Sequence, residues 1–311
     1  MRQFFLRRLL FSLITVIGAT SIVFSMSRAV SDPLLLYAKP GGYGVSPEQR
    51  ETLKKKLGLD KPKVVQYILW IGRVVRGDLG VTILDEKPVG RILAERVPAS
   101  FQLGIYGFIL STMIGVPIGI ISAVKRGTVW DYIARGIALF GQAIPQFWLA
   151  IVLIIIFAVR LDWLPAATRG DGWFDWKHSI LPVLALASGA LAGYMRITRS
   201  AMLNVLDSEY IKLARAKGVD SKKVIWKHAF RNAMIAPLTS SALIFVGMLN
   251  GALLIESVFA WPGIARAAIV AINDNDFPIL QAVTLFMVLA YILMNFDADV
   301  LYAIVDPRIR Y

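Results

Sequence analysis

Residues 97–124, VPASFQLGIYGFILSTMIGVPIGIISAV, run for 28 positions without an Asp, Glu, Lys, Arg or His. An α-helix rises 1.5 Å per residue, so about 20 such residues cover the hydrocarbon layer of a bilayer. Backbone N–H and C=O groups facing lipid must be satisfied within the segment, and a helix does this. Barrel strands would instead alternate over about ten residues.

Five more uncharged runs flank this one, at 9–26, 136–159, 179–195, 232–255 and 277–296. The 311 residues are 57% hydrophobic and 18% charged with mean hydropathy +0.61, too apolar for an ordinary soluble domain. The pattern predicts an all-α membrane protein with six transmembrane helices. The first run follows basic residues and precedes small ones, as a signal peptide would, but it is long for one and reads as an uncleaved anchor.

Six spans put both termini on one side, and the Lys/Arg bias says which. Segments 1–8, 125–135, 196–231 and 297–311 hold 17 Lys/Arg, as do 27–96, 160–178 and 256–276 together. The 70-residue segment 27–96 is long enough to translocate regardless of charge, and without it the count is 17 against 4. Both termini are therefore expected in the cytoplasm. The net charge of +13 fits topology charge beside anionic lipid, and nucleic acid is not expected as a partner.

Residues 1–30 are expected as an N-terminal transmembrane helix, 31–96 as an extracytoplasmic segment packed on the membrane domain, and 97–311 as a five-helix core. In 31–96, Ser46-Pro47-Glu48 opens a helix expected to reach Leu57, and Val64, Ile68, Ile71 and Val75 mark one face of another that ends at Gly77. Pro117 and Pro145 lie inside apolar runs and should kink them. Gln142, Pro145, Gln146 and Asn250, with Asp297 near the inner end of the last span, are candidates for a translocation pathway. Each polar side chain could equally bond a neighbouring helix. The Trp261-Pro262-Gly263 turn opens a short helix with an Ile264, Ala268, Ile272 stripe, and Trp163, Trp173 and Trp176 fit an aromatic belt.

The loop 196–233 begins RITRSAMLNVLDSEYIKLARAKGVDSKKVIWKHAFR, and its first 36 residues carry nine Lys/Arg against three carboxylates. Asp207 or Ser208 can cap a helix with Tyr210, Leu213, Ala214 and Lys217 on one face. Gly218 can close it with positive φ, and Asp220 or Ser221 can cap a second helix. Such a helix, bend and helix fits either a basic linker on anionic lipid or a protrusion for another protein's groove.

EYIKLARAKG, then nine residues, then His228 and FRNAMIAP resembles the EAA loop of binding-protein-dependent ABC importer permeases, in its dipeptide/oligopeptide form. Other matching pieces are colinear: FFLRRLL, LGLDKP, GDLG at 77–80, PVG at 88–90, VPIGIISAVKRG, RITRSAML, ESVFAWPG at 256–263 and DPRIR. Three departures stand out. Lys212, Leu213 and Ala214 occupy the positions of the name-giving triplet, Ser31-Asp32-Pro33 replaces a common Gly-Asp-Pro, and the loop between spans three and four is short.

The resemblance implies a type I ABC importer permease in a bacterial inner membrane, moving peptides or similar small solutes. Its implied partners are a second homologous permease, two ATPase subunits and an extracytoplasmic solute-binding protein. It further implies that Glu209, Tyr210, Ala214, Arg215, Ala216, Gly218, His228, Arg231 and Asn232 contact the ATPase. No catalytic, cofactor or metal site is expected: the chain has no Cys, no GxxxxGK[ST], no GxSxG, no HExxH and two distant histidines, His178 and His228. The alternative is an ion-coupled secondary transporter or channel, although such transporters usually hold an ionisable group at the midplane and these runs hold none.

Overall fold

The computed structural model describes the backbone of residues 2–30, 51, 60–83 and 85–305, and the side chains of these except 2–9, 27–30, 250 and 297–305. The helix expected from Ser46 to Leu57 lies outside the described residues apart from Glu51. The described chain is helical. It comprises α1 (Arg2–Val30), α2 (Lys63–Val75), α3 (Val89–Val124), α4 (Val129–Ala143) and α5 (Gln146–Arg160), followed by α6 (Trp176–Leu206), α7 (Glu209–Ala216), α8 (Ser221–Ala233), α9 (Ile235–Val258), α10 (Ile264–Asn273) and α11 (Phe277–Val305).

Among the described residues three helices are long and apolar enough to cross a membrane, namely α3, α6 and residues Phe277–Phe296 of α11. The pairs α4/α5 and α8/α9 are each bent, and counting each as one span raises the number to five. Within α1 the apolar stretch Leu10–Met26 is shorter, at 17 residues.

Residues 136–159 do not form the one kinked helix that their hydropathy suggests. The chain turns by 102° between α4 and α5. Proline lacks an N–H and disfavours helical geometry in the residue before it, and Ile144 is indeed extended, with φ −80° and ψ 125°. Pro117, by contrast, sits within one continuous α3.

The described chain groups into two compact units. One comprises residues 1–98 with 263–292, the other 99–262 with 293–310. In the first, Val89 and Leu93 pack with Ile264 and Ala267 of α10 and with Ala282 and Val283 of α11. The inward face of α10 therefore carries Ile264, Ala265, Ala267 and Ala271, and Ile272 from the expected stripe is exposed. Asp276, just before α11, joins that helix to the loop between α2 and α3 by accepting from Ile83 N (3.0 Å) and Ile279 N (3.4 Å).

Also in this unit, α2 meets α1 through Phe24, Tyr67 and Trp70, whose ring centroids lie 5.5–6.1 Å apart, and Tyr67 hydroxyl bonds Thr20 at 2.8 Å. Val64, Ile68 and Val75 stay exposed. The aromatic side of α2 makes the contact, and of the aliphatic stripe marked by periodicity only Ile71 is half-buried.

In the second unit, α3 and α6 approach closely because α3 offers glycines. A Cβ on Gly115 would sit 2.7 Å from Leu191 O, and one on Gly119 would sit 2.8 Å from Met195 O. Small residues one turn apart allow this backbone-to-backbone packing. Elsewhere in this unit Leu103, Leu181, Leu186 and Ile255 form one core. Trp261 is buried there and donates from Nε1 to Ala99 O at 2.9 Å.

Candidate functional site

The loop between α6 and α9 folds as a helical hairpin. Its first helix begins at Ser208, which takes the extended N-cap geometry (φ −72°, ψ 152°). The expected side-chain cap is absent, because Ser208 Oγ turns back to Val205 O. Glu209 in the first turn complements the helix dipole.

Gly218 ends the helix with φ +74°, while its N–H reaches Arg215 O at 2.9 Å and Val219 N reaches Ala214 O at 3.2 Å. No atom lies within 4 Å of a Cβ built there, so the dihedral demands glycine and crowding does not. Asp220 Oδ2 then accepts from Lys222 N at 3.0 Å and starts α8. Residues Val224–Ala229 of α8 form a π-helical turn, a widening common at functional sites.

The two faces of the hairpin differ. On its inner side Ile211, Val224, Ala229 and Ala233 are buried against Met202 and Leu206 of α6 and Val116, Ile120 and Ala123 of α3. On its outer side Tyr210, Leu213 and Trp226 are 43%, 57% and 59% exposed. Arg215, Ala216, Gly218 and Arg231 are exposed as well, with Ala214 half-buried.

Three of the residues named from sequence meet where the hairpin's helices cross. Asn232 Nδ2 donates to Tyr210 Oη at 2.8 Å and approaches His228 O at 3.3 Å, and Tyr210 Oη lies 3.4 Å from that same carbonyl. Sequence reading missed Trp226, whose ring lies 5.4 Å from Phe230. An isolated tryptophan amid lysines was the available signal.

The pathway candidates do not gather into one site. Gln146 Nε2 donates to Leu186 O at 3.1 Å. A Cβ on Gly251 would sit 2.8 Å from Gln146 Oε1, and one on Gly189 would sit 3.2 Å from its Nε2. Gln146, just past Pro145, is thus wedged between α6 and α9. Gln142 instead accepts from Arg196 Nη1 at 3.1 Å at the surface. The side chains of Asn250 and Asp297 lie outside those described.

A buried ion pair also escaped sequence reading. Asp131, 1% exposed near the start of α4, accepts from Arg199 of α6 at both oxygens (2.8 and 3.0 Å), from Ser122 Oγ (2.6 Å) and from Gly127 N (3.0 Å). The two arginines of RITRSAML both reach α4 but differ in what they meet there: Arg199 is paired with the buried Asp131, and Arg196 bonds the exposed amide of Gln142.

The arrangement supplies an apolar base fused to the spans and a polar and aromatic outer face around a rigid bend. Comparison with known proteins gives it a context. The family described as binding-protein-dependent transport system inner membrane component matches residues 115–311, and the description of its N-terminal part matches 1–104.

The chain is 38% identical to the dipeptide transport system permease protein DppB of Escherichia coli (strain K12), covering 100% of this chain and 99% of that protein. It is 35% identical to the oligopeptide transport system permease protein AppB of Bacillus subtilis (strain 168), covering 100% of both. Among solved structures, inward-facing conformations of the MetNI methionine ABC transporter align with TM-score 0.58 and 15% identity over 69% of this chain and 96% of that one. A crystal structure of an amino acid ABC transporter with histidines aligns at 0.55 and 14%, over 68% and 92%. At these identities the structural matches establish the fold alone.

Proposed function

This chain belongs to the inner membrane components of binding-protein-dependent transport systems, and from that premise we propose that it is a peptide-importing permease whose α7–α8 hairpin takes up the stroke of an ATPase. As a family member it is a non-catalytic, membrane-spanning transport subunit of a bacterial inner membrane, working with an ATPase and a binding protein.

Peptide as cargo rests on the two full-length relatives that carry dipeptide and oligopeptide in their names. The assembly proposed is one second, homologous permease, two ATPase subunits and one extracytoplasmic binding protein. Six spans with both termini in the cytoplasm would put the hairpin on the ATPase side.

The observation that carries the coupling role is the two-faced hairpin itself. Ile211, Val224 and Ala229 are buried with residues of α3 and α6, while Tyr210, Leu213 and Trp226 remain exposed around the Gly218 bend. Close-packed interiors transmit displacement rather than absorb it. A push on the outer face therefore moves α6 and α3 as rigid bodies between inward and outward openings. Glu209, Arg215 and Arg231 would fix the register on the ATPase, Ala214 and Ala216 would permit close approach, and Tyr210, His228 and Asn232 would hold the hairpin's two arms together.

The chain has no native cysteine, so Ala216→Cys creates a unique thiol. In the assembled transporter this thiol should cross-link to the ATPase with a short bifunctional reagent, in a yield that changes with bound ATP. A variant that transports normally yet gives no ATPase adduct would sink the coupling role. Uptake of labelled dipeptides and longer peptides into vesicles holding the reconstituted system tests the cargo separately.

A further inference from the structure

A cavity of about 430 Å³ opens between α3, α4 and α6, at the end of α6 that runs into the hairpin. Three guanidinium groups, Arg135, Arg196 and Arg199, line it together with Gln142, Ser200 and Asn204. They are not equally committed. Arg199 is spent on Asp131. Arg135 lies 3.5 Å from that same carboxylate and stacks on Tyr132 at 4.5 Å, with its side chain 43% exposed. Arg196 bonds only the neutral amide of Gln142, and among the described residues no carboxylate lies within ion-pair distance of it.

Three positive charges thus face one carboxylate that is already satisfied by Arg199, Ser122 and Gly127. Like charges gathered at a partly desolvated surface leave an anion-shaped deficit, and guanidinium forks match phosphate oxygens in geometry. The lining also includes Leu139, which is 69% exposed, as is its neighbour Phe140. A polar, positively charged cleft beside exposed aliphatic and aromatic surface suits a ligand with a phosphate head and an apolar tail. The volume falls within the range of small-ligand pockets, about 300–1,000 Å³.

We propose that this cavity binds the headgroup of an anionic phospholipid, with its phosphate between Arg135 and Arg196 and its acyl chains leaving over Leu139 and Phe140. Basic pockets between membrane helices recognise such headgroups. This goes beyond import and requires only that the chain sit in a bilayer. Because α4 and α6 are joined by the Asp131–Arg199 pair beside the cavity, a bound lipid would brace the helix that carries the hairpin.

The assembled transporter, held in nanodiscs of phosphatidylcholine with phosphatidylglycerol, can be released into native mass spectrometry and its bound lipids counted. Wild type should retain phosphatidylglycerol, and R135Q/R196Q should retain about tenfold less while R135K/R196K keeps most of it. Equal retention by wild type and R135Q/R196Q overturns the proposal.

A photoactivatable phosphatidylglycerol probes the wild type directly, without dependence on how a variant folds. Labelling within residues 135–142 or 196–204 supports the site, and labelling confined elsewhere overturns it. Glycerol phosphate and a short acidic peptide test a soluble occupant in detergent. If either raises the melting temperature through Arg135 and Arg196 while phosphatidylglycerol does not bind there, the cavity serves a soluble anion and the lipid assignment fails.

Discussion

Two breaks in the helical pattern, at Gly218 and at Pro145, share a sequence character of a helix breaker beside small and polar residues, yet they differ in what packs beside them. The bend at Gly218 is exposed, with no atom within 4 Å of where a Cβ would stand, and is held by its own backbone dihedral and by bonds within the hairpin. At Pro145 the 102° turn is followed at once by Gln146, held between Leu186 O, Gly189 and Gly251. One break makes an exposed knob, and the other sets a side chain over the glycines of two neighbouring helices. The difference lies in the glycines: α6 and α9 supply space for a side chain beside Pro145, whereas nothing closes over Gly218.

The comparison can be broken most severely at Gly218 itself. Gly218→Val places a β-branched residue at φ +74°, a conformation that costs about 1–3 kcal/mol. The hairpin should relax to another bend. Membrane insertion and recovery of the assembled transporter should persist while peptide uptake and transport-linked ATP hydrolysis are lost. Normal uptake by this variant would show that the geometry of the knob does not matter.

Next in size is Arg199→Gln, which leaves the buried Asp131 with only Ser122, Gly127 and the more distant Arg135, at 3.5 Å, and should lower stability by about 1–3 kcal/mol. Thermal denaturation of the purified transporter would register it. If Asp131→Asn/Arg199→Gln melts no higher than Arg199→Gln, the stranded charge is not the cause.

Gly251→Ala sharpens the other side of the comparison. Its new Cβ would lie 2.8 Å from Gln146 Oε1, an overpacking expected to cost about 1–3 kcal/mol. Gln146→Ala should relieve most of that cost in the double variant, because it removes the wedge. Additive losses in the double-mutant cycle would mean that the wedge and the slot are independent.

Tyr210→Phe is the mildest change. It removes the hydroxyl shared with Asn232 at the exposed hairpin crossing and should lower stability by about 1 kcal/mol, with a partial loss of uptake. A variant as impaired as Gly218→Val would transfer the main role from the bend to the crossing.

How far the sequence could be read depended on whether the relevant physics was local. Hydropathy over roughly 20 residues located α3, α6 and most of α11, because lipid imposes the same demand on every residue of a span. Capping and glycine signals located the hairpin within a few residues: Asp220 does cap α8, and Gly218 does take positive φ.

Periodicity succeeded less well where a helix has more than one apolar side. On α2 it marked Val64, Ile68, Ile71 and Val75, of which all but the half-buried Ile71 are exposed, and passed over Tyr67 and Trp70, which meet Phe24. A moment says that a face is apolar without saying what will cover it. Asp131 was equally hidden, since a carboxylate in a short charged loop looks solvated until Arg199, 68 residues later, is folded against it.

By itself, then, the sequence determined that this chain is a helical membrane protein, that it breaks at Pro145 and Gly218, and which loop has the form of a helical hairpin. Those properties follow from the solvent and from backbone sterics acting over a few turns. Only the tertiary structure decided that Gln146 is a wedge while Gln142 pairs with a surface arginine. It also decided that Arg199 is locked on Asp131 while Arg196 is left to face a cavity, and that the hairpin's buried side is fused to α3 and α6. These distinctions depend on which side chains from distant segments arrive within about 3–4 Å of one another, and close packing sets that only once the helices have assembled.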